Sequence, residues 1–224
     1  MLNEYKDTKI WKENIDGINL RSDILVSERV IDLLGNVKDK KILDLGCGNG
    51  KVSRILSKNG AKVYGVDKTE EQLSIARESE SKVVYFLGDI TNLNEIDLPK
   101  DFDIIISLMT FLYLDEKQII ETLLQIKKHI KKDGVFIYAN IHPSRYKENE
   151  KVEDEIPTTS GDVLKTVFYN HSSSFIKKAF NDTGFSIKNI IEPTPTSDEI
   201  KEYKILFSDN LNKPQYLIIE TVSL

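Results

Sequence analysis

The stretch Asp44-Leu45-Gly46-Cys47-Gly48-Asn49-Gly50 sets three glycines at alternate positions, directly after a short apolar run. A glycine-rich turn between a strand and a helix brings backbone close to a ligand where a Cβ would collide. The free N–H groups at the start of the next helix favour an anion there. Two groups suit such a turn: a dinucleotide pyrophosphate or an amino-acid carboxylate. The dinucleotide fingerprint Gly-x-Gly-x-x-Gly needs glycine at position 51. Lys51 stands there and the third glycine is Gly50, so the spacing counts against NAD. Asp67 follows Gly46 by 21 residues and ends a second apolar run. A carboxylate at that place can accept both hydroxyls of a ribose. Asp89, in Gly88-Asp89-Ile90, can accept from an adenine amino group while Ile90 covers the ring. Each acid alone also reads as an exposed strand end. Three acids at successive strand ends beside one glycine turn point to a ligand bound beyond the strand carboxyl ends.

Positioning these residues requires an alternation of strands and helices. Lys41–Leu45, Val63–Val66, Val83–Leu87, Phe102–Ser107 and Val135–Ala139 are short apolar runs that read as buried strands. Ser22 precedes a helical pattern with Ile24, Leu25, Ile31 and Leu34 inward, and Gly35 stops it. Val52, Ile55 and Leu56 recur at helical spacing up to Gly60, and Thr69 with Gln72 matches a capping box. Residues 115–131 are helical, with Ile119, Ile120, Leu123, Leu124, Ile126 and Ile130 forming the apolar side. Later, 172–182 reads as a helix, 185–191 and 216–222 as strands, and a short helical piece falls around 198–206. The order implies a parallel sheet covered on both faces.

Composition sets the outer bounds. The 224 residues suit one α/β domain, with residues 1–35 a helical leader and 142–170, rich in charge and broken by Pro143, Pro157 and Gly161, an insertion over the acceptor. Cys47 is the only cysteine, no window is long and apolar enough for a membrane span, and Met1–Asp7 lacks a secretory core, so a cytoplasmic setting is expected. A formal net charge of −5 argues against a nucleic-acid partner. The run Lys127-Lys128-His129-Ile130-Lys131-Lys132 reads as cations opposing a helix C-terminus, with His129 at the surface. No His, Cys and carboxylate set has metal-ligand spacing. Oligomeric state does not follow from these features.

The run Ile42 to Gly50 resembles the first motif of class I S-adenosylmethionine-dependent methyltransferases, of the small-molecule type. Val63-Tyr64-Gly65-Val66-Asp67 resembles their second motif and Gly88-Asp89-Ile90 their third; Phe102–Ser107 and Ile130–Gly134 resemble those around strands four and five. The resemblance covers about residues 20–140. It implies a Rossmann-like, seven-stranded, mostly parallel α/β sheet with helices on both faces and a last antiparallel strand at 216–222. It also implies that Asp44 and the turn Gly46, Cys47, Gly48, Asn49 and Gly50 hold the methionine portion of S-adenosylmethionine. Asp67 with the adjoining Lys68 falls at the ribose, Asp89 and Ile90 at the adenine, and Leu108 near the sulfonium. The leader Trp11…Gly17…Arg21 resembles that of small-molecule members, with Arg21 a candidate for the cofactor carboxylate and Trp11 for closing over the cofactor.

The sulfonium makes the methyl group electrophilic, so a base is needed only where the nucleophile must lose a proton. The candidates are His142, after the fifth strand, and His171, before a late helix. Phe111, Tyr113, Tyr146, Phe168 and Tyr169 are candidates for an aromatic acceptor pocket. The Asn/Asp-Pro-Pro-aromatic motif of amino-methylating nucleic-acid enzymes is absent after strand four, which favours a small-molecule substrate. The competing readings are a protein or RNA methyltransferase, a non-catalytic S-adenosylmethionine-binding protein and an NAD-dependent oxidoreductase.

Overall fold

A computed structural model describes residues 20–79, 81–147, 150–157, 163–207 and 213–224, with backbone alone for 156, 157 and 164. A π-helical turn, Asp23–Glu28, runs into α1 (Arg29–Leu34), and β1 (Lys41–Leu45) leads through the glycine turn into α2 (Lys51–Lys58). β2 (Lys62–Asp67), α3 (Glu70–Glu78), β3 (Val84–Leu87), β4 (Phe102–Leu108), α4 (Glu116–His129) and β5 (Ile130–Ile141) follow. Then come β6 (Lys151–Pro157), β7 (Val163–Tyr169), α5 (Ser173–Asp182), β8 (Phe185–Ile191), α6 (Ser197–Glu202) and β9 (Tyr216–Ser223).

Seven strands form one sheet in the order β3-β2-β1-β4-β5-β9-β8. Pairs β1–β2, β1–β4, β2–β3 and β4–β5 are parallel, and β9 is antiparallel to both β5 and β8. The last strand is therefore the reversed one, slotted between β5 and β8. The chain winds outward from β1 to β3, then restarts on the other side at β4. This reversal opens a crevice at the carboxyl ends of β1 and β4, where open α/β sheets bind ligands.

Alternation along each strand supplies two cores. Ile42, Val63, Ile104, Ile106 and Ile137 face one side, against the leader residues Ile24, Leu25, Val26 and Val30. Leu43, Leu45, Val66, Ile105 and Phe136 face the other, against α4 and α5. The π turn adds a residue to the leader's winding, so Val26 and Val30 are buried while Ile31 and Leu34, expected inward, are half-buried. Likewise Ser53, Arg54 and Leu56 are the buried residues of α2, with Val52 and Ile55 half-covered.

Three expectations need correction. In α4, Ile119, Leu123 and Ile126 are buried, but Ile120 and Leu124 are 38% and 47% exposed: the buried stripe is narrower than the apolar residues suggest. His129 is buried rather than superficial, its Nδ1 2.9 Å from the Gln125 carbonyl. Thr69 does start α3 but its side chain caps nothing; Gln72 is buried and turned toward the glycine turn instead. Capping boxes are found at Asp115/Gln118 and at Thr196/Glu199. Of the basic run, Lys127, Lys128 and His129 fall in the last turn of α4, whereas Lys131 and Lys132 lie on β5; Lys127 Nζ donates to Ser223 Oγ at 2.5 Å, and Lys131 pairs with Asp103 at 2.7 Å.

The 142–170 segment builds a separate antiparallel hairpin, β6–β7. Phe168 and Val152 seat it on the core, and Asn170 Nδ2 ties its base to the carbonyls of Pro143 and Tyr146, each at 3.0 Å. Among the described residues, no helix is long and apolar enough to cross a membrane.

Candidate functional site

At the sheet's switch point lies a cleft of about 790 Å³, within the range that holds small-molecule ligands and cofactors. The glycine turn forms its floor. Gly46 and Cys47 both donate their N–H groups to the Val66 carbonyl, at 2.8 and 3.0 Å, which locks the turn onto β2. Gly46, Gly48 and Gly50 all have left-handed φ, of 73°, 52° and 74°. They serve different ends. A Cβ on Gly46 would meet Thr110 and one on Gly50 would meet Tyr85, whereas at Gly48 the nearest atom is Gln72 Oε1, at 3.8 Å. Only Gly48 of the three is kept bare toward the cleft; the other two make room for the protein's own side chains.

Three acids stand where the strand ends place them. Asp44 is 3% exposed and accepts from Ser53 Oγ at 2.6 Å. Burial pushes its carboxyl up to about 7, against the pull of the Ser53 hydrogen bond and with help from the charge of Asp67. Asp67 braces the turn, taking Gly48 N on Oδ2 at 2.8 Å and Thr69 N on Oδ1 at 2.9 Å. Each of its oxygens keeps acceptor capacity for a hydroxyl. Asp89 caps a short 3-10 helix by accepting from Thr91 N and Oγ1, at 2.9 and 2.8 Å. Ile90, buried beside it, also lines the cleft.

At the end of β4 the chain turns through Met109, a non-glycine residue with φ of 59°. Such a conformation costs roughly 1–2 kcal/mol; the Met109 N–H held by the Ala139 carbonyl at 2.8 Å helps to secure it. Leu108, Met109 and Tyr113 line the cleft here, and Leu114, Gln118 and Lys151 continue the wall.

Of the residues singled out from the sequence, Asp44, Gly46, Cys47, Gly48, Asn49, Asp67, Lys68, Asp89, Ile90 and Leu108 all line this cleft. Gly50 is packed beneath Tyr85. Arg21 is buried and donates from Nε to the Leu206 carbonyl, outside the cleft lining. Trp11 lies outside the described residues. Burial pushes the Cys47 thiol well above its ordinary value, so it stays a protonated neighbour of the turn.

Neither candidate base lines the cleft. His142 Nδ1 accepts the Ser144 N–H at 3.2 Å and lies 2.7 Å from Ser144 Oγ, while Nε2 is 3.2 Å from Glu192 Oε1. His171 Nε2 donates to the carbonyl of Leu114, a cleft residue, at 2.8 Å; burial lowers its pKa, so its ring is neutral at pH 7. The aromatic pocket reduces to Tyr113. Phe111 and Phe168 are core, Tyr146 bonds to Asp154 and packs edge-on to Phe168, and Tyr169 is 37% exposed against the His171 ring.

Residues that the sequence reading passed over complete the lining. Gln72 is 2% exposed and its Nε2 has no hydrogen-bond partner among the described residues, although it stands at the cleft wall. A buried orphan donor is costly, and a ligand acceptor would satisfy it. Lys51, noted only as a missing glycine, also lines the cleft with Asp23. The third position of α3 marked Gln72 as a cap; only the fold shows which way it turns. Among the described residues the lining carries five carboxyl groups (Asp23, Asp44, Asp67, Glu71, Asp89) against three lysines (Lys51, Lys68, Lys151). That balance suits a cationic ligand with hydroxyls and opposes a pyrophosphate. No group of three or more His, Cys, Asp or Glu among the described residues is placed to hold a metal ion.

Comparison with known proteins places this site in a family. The model of a methyltransferase domain matches residues 36–209. The release factor glutamine methyltransferase of Fusobacterium nucleatum is 28% identical over 189 residues, 80% of this chain and 51% of that one. A ubiquinone biosynthesis O-methyltransferase of Rickettsia bellii is 27% identical over 124 residues, 54% of this chain and 50% of its own. The chain thus spans about half the length of the curated relatives it matches. The crystal structure of an S-adenosylmethionine-dependent methyltransferase from Mesorhizobium loti superposes with a TM-score of 0.70 at 21% identity, covering 87% of this chain and 96% of that one. With its sheet order, its glycine turn and a match over most of its length, the chain belongs to the methyltransferase-domain family and has the fold of S-adenosylmethionine-dependent methyltransferases.

Proposed function

We propose that the chain binds S-adenosylmethionine in this cleft and transfers its methyl group to a small-molecule acceptor by in-line displacement. The observation that carries the reading is the lining itself: a bare Gly48, acids at three successive strand ends, and an acidic balance that complements a sulfonium and an ammonium. The cofactor supplies an already electrophilic methyl group. The protein's share is to orient and to exclude water, worth several kcal/mol by proximity alone. Asp44 and the Gly48 backbone hold the amino-acid end, Asp67 accepts from the ribose, Asp89 and Ile90 meet the adenine, and Leu108 and Met109 flank the sulfonium.

Beyond Met109 the wall of Tyr113, Leu114, Gln118 and Lys151 is left for the acceptor, with the β6–β7 hairpin as its cap. Tyr113 Oη lies 3.3 Å from Thr166 Oγ1 of β7, which couples the cap to that wall. His171 acts there through Leu114, as a positioning residue. His142, just after β5, lies outside the cleft lining with its ring nitrogens against Ser144 and Glu192, so no base role is assigned to it. The Fusobacterium relative favours a second reading, a protein acceptor. Incubation with tritiated-methyl S-adenosylmethionine and separated cell fractions decides between them. Label in the small-molecule fraction is expected; label confined to protein or RNA overturns the acceptor class.

A further inference from the structure

The acids of the cleft all lie to one side of it. Asp44, Asp67 and Asp89 stand at the carboxyl ends of β1, β2 and β3, Glu71 is on α3 and Asp23 on the leader. The opposite wall comes from the turn after β4, the start of α4 and the first residue of β6: Tyr113, Leu114, Gln118 and Lys151. Among the described residues this wall carries no carboxyl group and no histidine. Gln118 Oε1 accepts Asp115 N at 2.9 Å in the capping box, so the amide nitrogen is the end left to donate. Lys151 opens β6, and the acids around it are already engaged. Glu150 pairs with Lys147 at 2.5 Å, Asp154 accepts from Tyr146, and Glu155 pairs with Lys165 at 3.3 Å. The Lys151 ammonium has no ion-pair partner among the described residues. Tyr113 adds a phenol, which is no base at neutral pH.

A wall with a cation and an amide donor but no base makes two demands on what is methylated. The acceptor must be anionic, and its nucleophilic atom must already have lost its proton. A carboxylate meets both at pH 7, since its ordinary pKa lies near 4, whereas an alcohol or a protonated amine meets neither. We propose that the acceptor is a small carboxylic acid and the product its methyl ester. Lys151 and the Gln118 amide nitrogen hold one oxygen of the carboxylate, and the other oxygen faces the methyl group. A lone pair of that oxygen forms the new C–O bond as the bond from methyl to sulfur breaks, its electron pair staying on sulfur. The products are an ester and a thioether, and no proton moves. The inference rests on the small-molecule reading above and assigns the acceptor atom.

The test incubates the full chain with tritiated-methyl S-adenosylmethionine and a small-molecule cell extract. The extract is used as it stands and after its carboxyl groups are amidated with carbodiimide and glycinamide. Label from the untreated extract should be released as volatile methanol by mild alkali, and the amidated extract should take up little. Gln118→Glu keeps a capping box but sets a negative charge against the acceptor, and should cut labelling roughly tenfold or more. Lys151→Met should raise the extract concentration needed for half-maximal labelling roughly tenfold, and Lys151→Arg should restore part of the loss. All three variants should bind S-adenosylhomocysteine within about twofold of wild type by calorimetry, a readout of folding that does not pass through the acceptor. Alkali-stable label, or uptake undiminished by amidation, overturns this inference and leaves the small-molecule reading standing. Unchanged labelling by both Lys151→Met and Gln118→Glu overturns it equally. Absence of label from every small molecule overturns both readings.

Discussion

At the scale of single residues, Asp44 carries a pH signature. Its carboxyl, raised by burial to about 7, binds a proton in the folded state that it has lost in the unfolded chain. The stability it contributes is fully present below its ordinary value near 4 and is lost as pH rises through about 7. The melting temperature of the ligand-free protein should therefore fall across pH 4–7, and Asp44→Asn should flatten that slope. The α-ammonium of a ligand bound beside Asp44 favours the ionised carboxylate, so affinity for S-adenosylhomocysteine should weaken below pH 7, by up to about tenfold per unit, in the wild type only. Titrations at pH 6 and pH 8 check both signs. The glycines divide in the same way. Gly50→Ala forces a methyl into the Tyr85 ring and should cost about 1–3 kcal/mol of stability. Gly48→Ala makes only ordinary contact with Gln72 Oε1, should cost about 1 kcal/mol for its left-handed φ, and should act mainly on ligand affinity. Chemical denaturation with a parallel binding assay separates the two; equal effects on both measures would contradict the division.

At the scale of elements, α4 tests how burial is distributed. Leu123 is 1% exposed and its neighbour Leu124 is 47% exposed. Leu123→Ala should destabilise by about 2–5 kcal/mol, and Leu124→Ala by less than about 0.5 kcal/mol; comparable losses in urea melts would show a wider buried face. The strands and most helices were legible from the sequence because their signals are local: runs such as Phe102–Leu108 alternate into the two cores, and Gly35 and Gly60 stop helices where expected. The glycine turn and the acids at the strand ends were legible for the same reason. What stayed hidden depends on partners far along the chain. Lys51 meets Asp23 across 28 positions, and Arg21 finds the Leu206 carbonyl across 185. The π turn shifted the leader's face without any glycine or proline to announce it. The 142–170 stretch read as irregular because its hairpin alternates charged and apolar residues weakly, and its inward face is set by packing on Phe168.

At the scale of the molecule, two cores on opposite faces of one sheet fix the strand ends against each other, and the switch between β1 and β4 leaves the cleft between them. The leader supplies one wall through Asp23, and the β6–β7 hairpin approaches the other through Lys151. The cleft is thus assembled from segments on both sides of the sheet's switch point, so ligand binding should be felt across the whole fold and raise the melting temperature as a single cooperative shift. The account stands on what this cleft accepts. Calorimetric titration of the full chain with S-adenosylhomocysteine and with NADH tests that directly. The prediction is saturable binding of one S-adenosylhomocysteine per chain, weakened tenfold or more by Asp67→Ala, with no heat from NADH. Binding of NADH, or S-adenosylhomocysteine affinity indifferent to Asp67→Ala, would contradict it.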